Sequence, residues 1–171
     1  MTSGIDGTKS SPTETVAVEM HDHAGCIASA LAAAEGQCAS DGLRFTPVRR
    51  KALEVLLQEH RAIGAYEMLD RLRDEGFGSQ PPVAYRALEF LVAHGFAHKI
   101  EKLNAFVACG HTGEDHSPAF LICRKCGSVA EADAFTKRSA IGRTAKAVGF
   151  QIERTVVEVE GLCPECLVKA P

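Results

Sequence analysis

Apolar residues recur three and four positions apart over much of the first hundred positions, and alternate in short runs after that. From Cys26 to Ala39 (CIASALAAAEGQCA) the chain is Ala-rich with apolar positions at helical spacing, which predicts a first helix. A second helix starts at Thr46-Pro47, where Thr suits the N-cap and Pro the first turn, and its apolar face is Val48, Ala52, Val55 and Leu56. A third covers about residues 65–75, with Met68, Leu69 and Leu72 facing inward and Gly76 as its stop. A fourth runs from Pro81-Pro82 to His94, with Leu88, Phe90 and Leu91 as apolar positions and Gly95 after it. Two short strands, 96–101 and 104–109, flank Lys102-Leu103 as a hairpin would. Helices closed by a hairpin predict a winged helix-turn-helix.

The pattern then changes. Residues 110–117 are polar, carry Gly113 and read as a linker or hinge. Beyond them the expectation is a strand at 119–122, a strand at 128–132, a helix over 135–148 and a strand over 150–160, with Gly149 between the last two. Residues 1–22 are rich in Ser, Thr, Gly and acids and read as a disordered leader. The organisation expected is a leader at 1–22, a winged-helix domain at 23–109, a hinge at 110–117 and an α/β domain at 118–171.

Composition alters this picture little. The chain has 171 residues, of which 46% are hydrophobic, enough to bury a core in one medium or two small domains. The start lacks a basic segment followed by an apolar run, and no apolar stretch approaches the roughly 18 residues of a membrane span, so a soluble cytoplasmic protein without a membrane partner is expected. The formal net charge is −3, which gives no bulk argument for nucleic acid. Residues 1–40 carry one Lys and five acids, residues 41–103 ten basic and nine acidic residues, and residues 104–171 eight of each. The local feature is a cluster of Arg44, Arg49, Arg50 and Lys51 in the second of these segments.

Seven cysteines in a reducing compartment point away from disulfides. Four form two Cys-x-x-Cys pairs, Cys123 with Cys126 and Cys163 with Cys166, and 36 residues lie between the pairs. Cys126-Gly127 and Cys163-Pro164 are the turn chemistry of zinc knuckles. Two knuckles that meet make a closed tetrahedral four-cysteine site, with no vacancy for a substrate and hence a structural role. His98, Cys109, His116 and Glu131 are further candidate ligands, with His111 an alternative to His116 in the run GHTGEDHS. They lie on the wing, at its end, in the hinge and beyond it. A metal held by all four would tie two domains together, and a thiolate in the set favours zinc over iron or manganese.

Longer stretches carry a resemblance. Arg44-Phe-Thr-Pro-Val-Arg49, Pro81-Pro-Val-Ala-Tyr-Arg-Ala-Leu88, Gly95-Phe-Ala-His-Lys-Ile-Glu101, Phe120-Leu-Ile-Cys-Arg-Lys-Cys-Gly127 and Gly161-Leu-Cys-Pro-Glu-Cys166 resemble the ferric uptake regulator family, in its zinc uptake regulator branch, from about residue 28 onward. The resemblance implies an α+β fold: an N-terminal winged helix-turn-helix and a C-terminal α/β dimerisation domain with a four-cysteine zinc site. It implies a homodimer that binds an AT-rich inverted-repeat DNA operator when loaded with zinc and represses zinc-uptake genes. It implies two zinc ions per chain, a structural one on Cys123, Cys126, Cys163 and Cys166 and a regulatory one on His98, Cys109, His116 and Glu131. The family's recognition helix usually reads Thr-Val-Tyr-Arg, whereas this chain has Val83-Ala84-Tyr85-Arg86 and so lacks one hydroxyl.

On that fold, helix 81–94 enters the major groove. Arg86 can grip guanine O6 and N7, and Tyr85 offers a hydroxyl for phosphate and a ring for a thymine methyl. Tyr66 resembles another family position that faces DNA, and Arg44, Arg49, Arg50 and Lys51 suit phosphates, which position without specifying. An iron- or peroxide-sensing relative is the alternative. Those members carry a His-His-x-His run that is absent here, and Cys109 is the mark of the zinc branch. A metalloenzyme is less favoured: there is no His-Glu-x-x-His, Gly-rich phosphate loop or Gly-x-Ser-x-Gly, so no enzymatic activity is expected. Cys26 and Cys38 read as packing residues of the first helix, with a thiol redox switch as their alternative role.

Overall fold

A computed structural model describes residues 23–59, 61–112, 118–132, 140–153 and 155–168. Four helices come first: α1 (His23–Ser40), α2 (Pro47–Gln58), α3 (Ala65–Asp74) and α4 (Pro81–Ala93). Thr46 caps α2 by accepting the Arg49 N–H on its hydroxyl, which satisfies one of the orphan donors at a helix start. α3 ends at Gly76, whose φ of +80° only glycine adopts readily, and the Phe77 N–H returns to the Leu72 carbonyl at 2.9 Å. α4 ends the same way through Gly95 and the bond from Phe96 N–H to Leu91.

The helices bury one continuous core. Leu31, Ala34 and Cys38 of α1, Leu53 and Leu56 of α2, Met68 and Leu72 of α3, and Leu88 and Leu91 of α4 are all buried in it. Each large side chain withdrawn from water contributes roughly 1.5–3 kcal/mol. Phe45, Phe90 and Phe96 add a tilted aromatic group between the start of α2 and the end of α4.

A hairpin of β2 (Ala97–Ile100) and β3 (Ala105–Ala108) follows α4, with Asn104 at φ +46° in its turn. The two residues of β1 (Ile63–Gly64) pair with β3, giving the sheet order β1-β3-β2. Sequence patterning did not foresee β1, which is too short to show alternation. The second sheet has the order β5-β4-β6, built from β4 (Ala119–Cys123), β5 (Val129–Ala132) and β6 (Val157–Gly161), with β4 and β6 parallel. Helix α5 (Ala140–Ala147) lies between β5 and β6 in sequence, and α6 (Pro164–Val168) ends the described chain.

Two expectations change here. The strand anticipated from Phe150 begins only at Val157. Phe150 belongs to the end of α5: its N–H bonds to the Ala145 carbonyl at 2.8 Å over a left-handed Gly149. The strand is five residues long because its partner β4 is, and unpaired residues have no ladder to join. Residues 164–168, read only as a knuckle turn, form α6. The leader at 1–22, most of the hinge (113–117) and the first part of the expected helix (135–139) lie outside the described residues.

The two sheets touch. Ile100 of β2 is fully buried against Phe120 and Ile122 of β4, with Ala62, Val107 and Val129 around them. A backbone bridge pairs Arg61 with Ser128.

Candidate metal centre

The parallel pairing of β4 and β6 sets Cys123 opposite Gly161, so the chain leaving β6 delivers Cys163 to the knuckle after β4. Gly127, at φ +74°, turns that knuckle, and its N–H bonds to the Cys123 carbonyl. The ligand atoms of Cys123, Cys126, Cys163 and Cys166 all lie within 4.8 Å of one another, and Cys126 Sγ is 3.7 Å from Cys163 Sγ. Tetrahedral zinc with bonds of about 2.3 Å needs sulfurs about 3.8 Å apart, so the four thiols fit that ion. Backbone N–H groups led by that of Cys163, 3.4 Å from Cys123 Sγ, hold the Cys123 thiol down to about 6. Ser128 holds Cys126 down as well. Hydrogen bonding to Cys163, then burial and the charge on Cys123, push Cys166 up to about 12. One anionic sulfur thus opposes the next, a conflict that a cation among them removes.

The second cluster joins the two sheets. His98 of β2, Cys109 just after β3, and Glu131 of β5 bring their ligand atoms within 4.8 Å of one another. His98 Nε2 lies 3.4 Å from Glu131 Oε1, and the His98 ring sits 5.4 Å from that of Phe120. The other carboxylate oxygen accepts the Gly110 N–H at 2.9 Å. Cys109 is buried, and its thiol is pushed up to about 11 by that burial, aided by the negative charge of Glu131. Imidazole, thiol and carboxylate together are a donor set that zinc accepts. Beside them, a cleft of about 210 Å³ bordered by Arg61, Val107, Cys109 and Glu131 is wide enough for several waters, at about 30 Å³ each. His116 lies outside the described residues. Its alternative, His111, places Nδ1 3.8 Å from Glu131 Oε1. The bond from Gly110 to Glu131 had no sequence signal, because the two residues meet only when the sheets dock.

The candidate DNA residues lie on and around α2, α3 and α4. Tyr66 of α3 is 69% exposed and Tyr85 of α4 is 40% exposed, with Arg86 exposed beside it. Arg44 is exposed as well. The rest of the basic cluster is engaged within the chain. The Arg49 guanidinium donates to the Arg44 carbonyl and lies 3.7 Å from the centroid of Phe90. Arg50 is 2.7 Å from Glu35, and Lys51 is 3.0 Å from Glu75. A phosphate approaching these three side chains competes with partners already in place.

Comparison with known proteins matches these features. A family model described as "Ferric uptake regulator family" covers residues 40–160. The zinc uptake regulation protein of Escherichia coli (strain K12) is 38% identical over 138 residues, 80% of this chain and 81% of the relative. A solved structure described as "Zinc Uptake Regulator Complexed With Zinc AND DNA" superposes with a TM-score of 0.79 at 37% identity, covering 84% of this chain and 96% of the other. The structure described as "holo XcZur" gives 0.73 at 42% identity, over 82% of this chain and 98% of the other.

Proposed function

The chain belongs to the ferric uptake regulator family, and from that premise we propose that it is a zinc-responsive transcriptional repressor. It acts as a homodimer on an AT-rich inverted-repeat operator and represses genes for zinc uptake. The carrying observation is the cluster of His98, Cys109 and Glu131, which draws donors from both sheets. The likeness to a zinc uptake regulator solved with zinc and DNA supports it. No helix among the described residues is long and apolar enough to cross a membrane. The family is one of transcriptional regulators, and we read this chain as a cytoplasmic, non-enzymatic member.

Two zinc ions per chain are assigned: a structural one to Cys123, Cys126, Cys163 and Cys166, and a regulatory one to His98, Cys109, His116 and Glu131. Bound at the regulatory site, zinc supplies a positive charge that donors from both sheets share. Its absence leaves Glu131 facing a buried thiol whose ionisation it opposes. With these donors drawn together, the wing is fixed against the second sheet, and so is the spacing of the two recognition helices in the dimer. Half-sites on DNA recur at about one helical turn or multiples of it, so a fixed spacing raises operator affinity. A differential of about 3 kcal/mol changes that affinity roughly 150-fold.

The domain limits of 23–109, 110–117 and 118–171 follow this division of labour. The second copy docks on the apolar surface of α5 and the residues just after it, where Ile141 is 58%, Val148 74% and Phe150 67% exposed. Arg86, Tyr85 and Tyr66 meet the operator, and Arg44, Arg49, Arg50 and Lys51 meet its phosphates, the last two by exchanging an acid for a phosphate.

The test is binding to an AT-rich inverted-repeat duplex as free zinc is buffered from femtomolar to micromolar. A steep gain in affinity that is lost in Cys109→Ser, with the fold intact, is expected. Zinc-independent binding refutes the reading, and a steeper response to iron than to zinc moves the chain to the iron-sensing branch.

A further inference from the structure

The face of the second sheet that meets the wing carries more than metal donors. Across that sheet, Phe120 pairs with Glu131 on one side and with Glu158 on the other, so the three form one row. Ile122 and Glu160 form the next same-facing positions on β4 and β6. Side chains between them in sequence face the opposite way: Leu121 is 50% and Val159 47% exposed.

The wing strand lies over this row in order. His98 meets Glu131, and Ile100 is buried against Phe120 and Ile122. The hairpin turn that follows meets Glu158. Its Oε1 accepts the Glu101 N–H at 2.7 Å, and its Oε2 accepts the Lys102 N–H at 3.1 Å. The Lys102 ammonium then reaches Glu160 at 2.7 Å.

We propose that Glu158, seconded by Glu160, is a positioning residue that clamps the wing turn to the second sheet independently of metal and thereby sets the zinc level at which the protein binds DNA. This rests on the zinc-responsive reading above. Two amides at a hairpin tip satisfy one carboxylate, and charge-assisted bonds of this kind exceed neutral ones in strength. The clamp fixes backbone, so it holds the wing whatever side chains the tip carries. It also lies at the opposite edge of the sheet from Glu131. A wing held at one edge presents His98 to Glu131 at the other, so the regulatory donors start from a partly assembled state. A ligand's apparent affinity falls by the fraction of protein in the competent state, and the clamp raises that fraction before zinc arrives.

The experiment uses the full-length dimer and reads two quantities. The first is amide exchange at Glu101 and Lys102, measured without DNA in the Cys109→Ser background, so that the clamp acts without the regulatory set. Glu158→Ala is expected to speed exchange at both amides about tenfold, with Glu158→Gln intermediate because one acceptor oxygen remains. The second is the free-zinc midpoint of DNA binding in the otherwise unchanged chain. Glu158→Ala is expected to raise it about fivefold to tenfold, while affinity at saturating zinc stays within about twofold. Glu160→Gln, which removes only the pairing with Lys102, is expected to move the midpoint in the same direction by less. Unchanged exchange at both amides overturns the clamp. An unchanged midpoint with faster exchange overturns its role in setting the zinc level. An equal loss of DNA affinity at every zinc level overturns it too, since that places Glu158 at the DNA surface. Zinc-independent DNA binding by the unmutated chain refutes the repressor reading instead, and the exchange measurement still decides whether the clamp exists.

Discussion

Nε2 of His98 stands 3.4 Å from Oε1 of Glu131, one side chain from the wing and the other from the second sheet. Glu131 also takes the Gly110 N–H, so a single carboxylate engages both the strand that carries the wing and the chain that leaves it. Its removal strips a donor and leaves that N–H without its acceptor. Glu131→Ala is expected to raise the free-zinc midpoint of operator binding by more than the roughly 10–100-fold typical of a lost outer-shell partner. Competition with a zinc chelator of known affinity measures this; an unchanged midpoint removes Glu131 from the set.

The four-cysteine cluster ties the start of α6 to the end of β4, and no disulfide substitutes for it. Structural zinc contributes on the order of 10 kcal/mol in small domains. Cys163→Ser is expected to release one zinc per chain and to unfold or monomerise the C-terminal part. Sedimentation and metal analysis together decide, and a stable dimer lacking that zinc contradicts the structural role.

Arg86→Ala is expected to weaken binding to the cognate operator by about 1–3 kcal/mol and to relax preference at one base pair. Arg44→Ala is expected to weaken all sequences alike and to reduce the salt slope by about 1. Selection from a randomised duplex pool, run for both variants, separates the roles. An unaltered preference in Arg86→Ala denies it a base contact.

The exposed side chains on and after α5 need a partner if the protein is a dimer. Phe150→Glu places a charge on that surface and is expected to shift sedimentation to the monomer without changing the helical content. A dimer that survives the substitution puts the interface elsewhere.

Acid acts on a different part of the molecule. A bidentate hydrogen bond from the Arg61 guanidinium, together with Arg71, holds the Glu67 carboxyl below the usual carboxylate range. A depressed folded value contributes stability above the unfolded value of about 4.3, and that contribution is lost as pH falls through the folded one. Both side chains are more than a third exposed, so the pair contributes no more than about 1 kcal/mol. Chemical denaturation of Glu67→Gln is expected to show a deficit of that size near pH 7, which shrinks as pH drops below about 4. A constant deficit across that range assigns the loss to packing.

The helical half of the fold was open to reading because its signals are local. Thr46-Pro47, Gly76 and Gly95 act on backbone a few residues away, and the apolar spacing of α2 to α4 states directly which face is buried. The four cysteines were equally open, since a knuckle needs only its own turn. The run from Phe150 misled because its apolar alternation fits a strand, whereas the left-handed Gly149 commits Phe150 to the helix before it. β1 gave no signal because two residues have no period.

Sequence by itself therefore determined the first four helices, the stops at Gly76 and Gly95, the two Cys-x-x-Cys pairs and the residue types able to bind zinc. Tertiary structure alone decided which of those types meet. Glu131 could face either side of its strand until β4 paired with it, since a shift of one residue reverses every side chain. Parallel pairing of β6 beside β4 then put Glu158 under the hairpin turn, 57 positions from Glu101 in the chain. A contact of that separation depends on the register of two strands and the docking of two sheets, and neither is written in the residues around it.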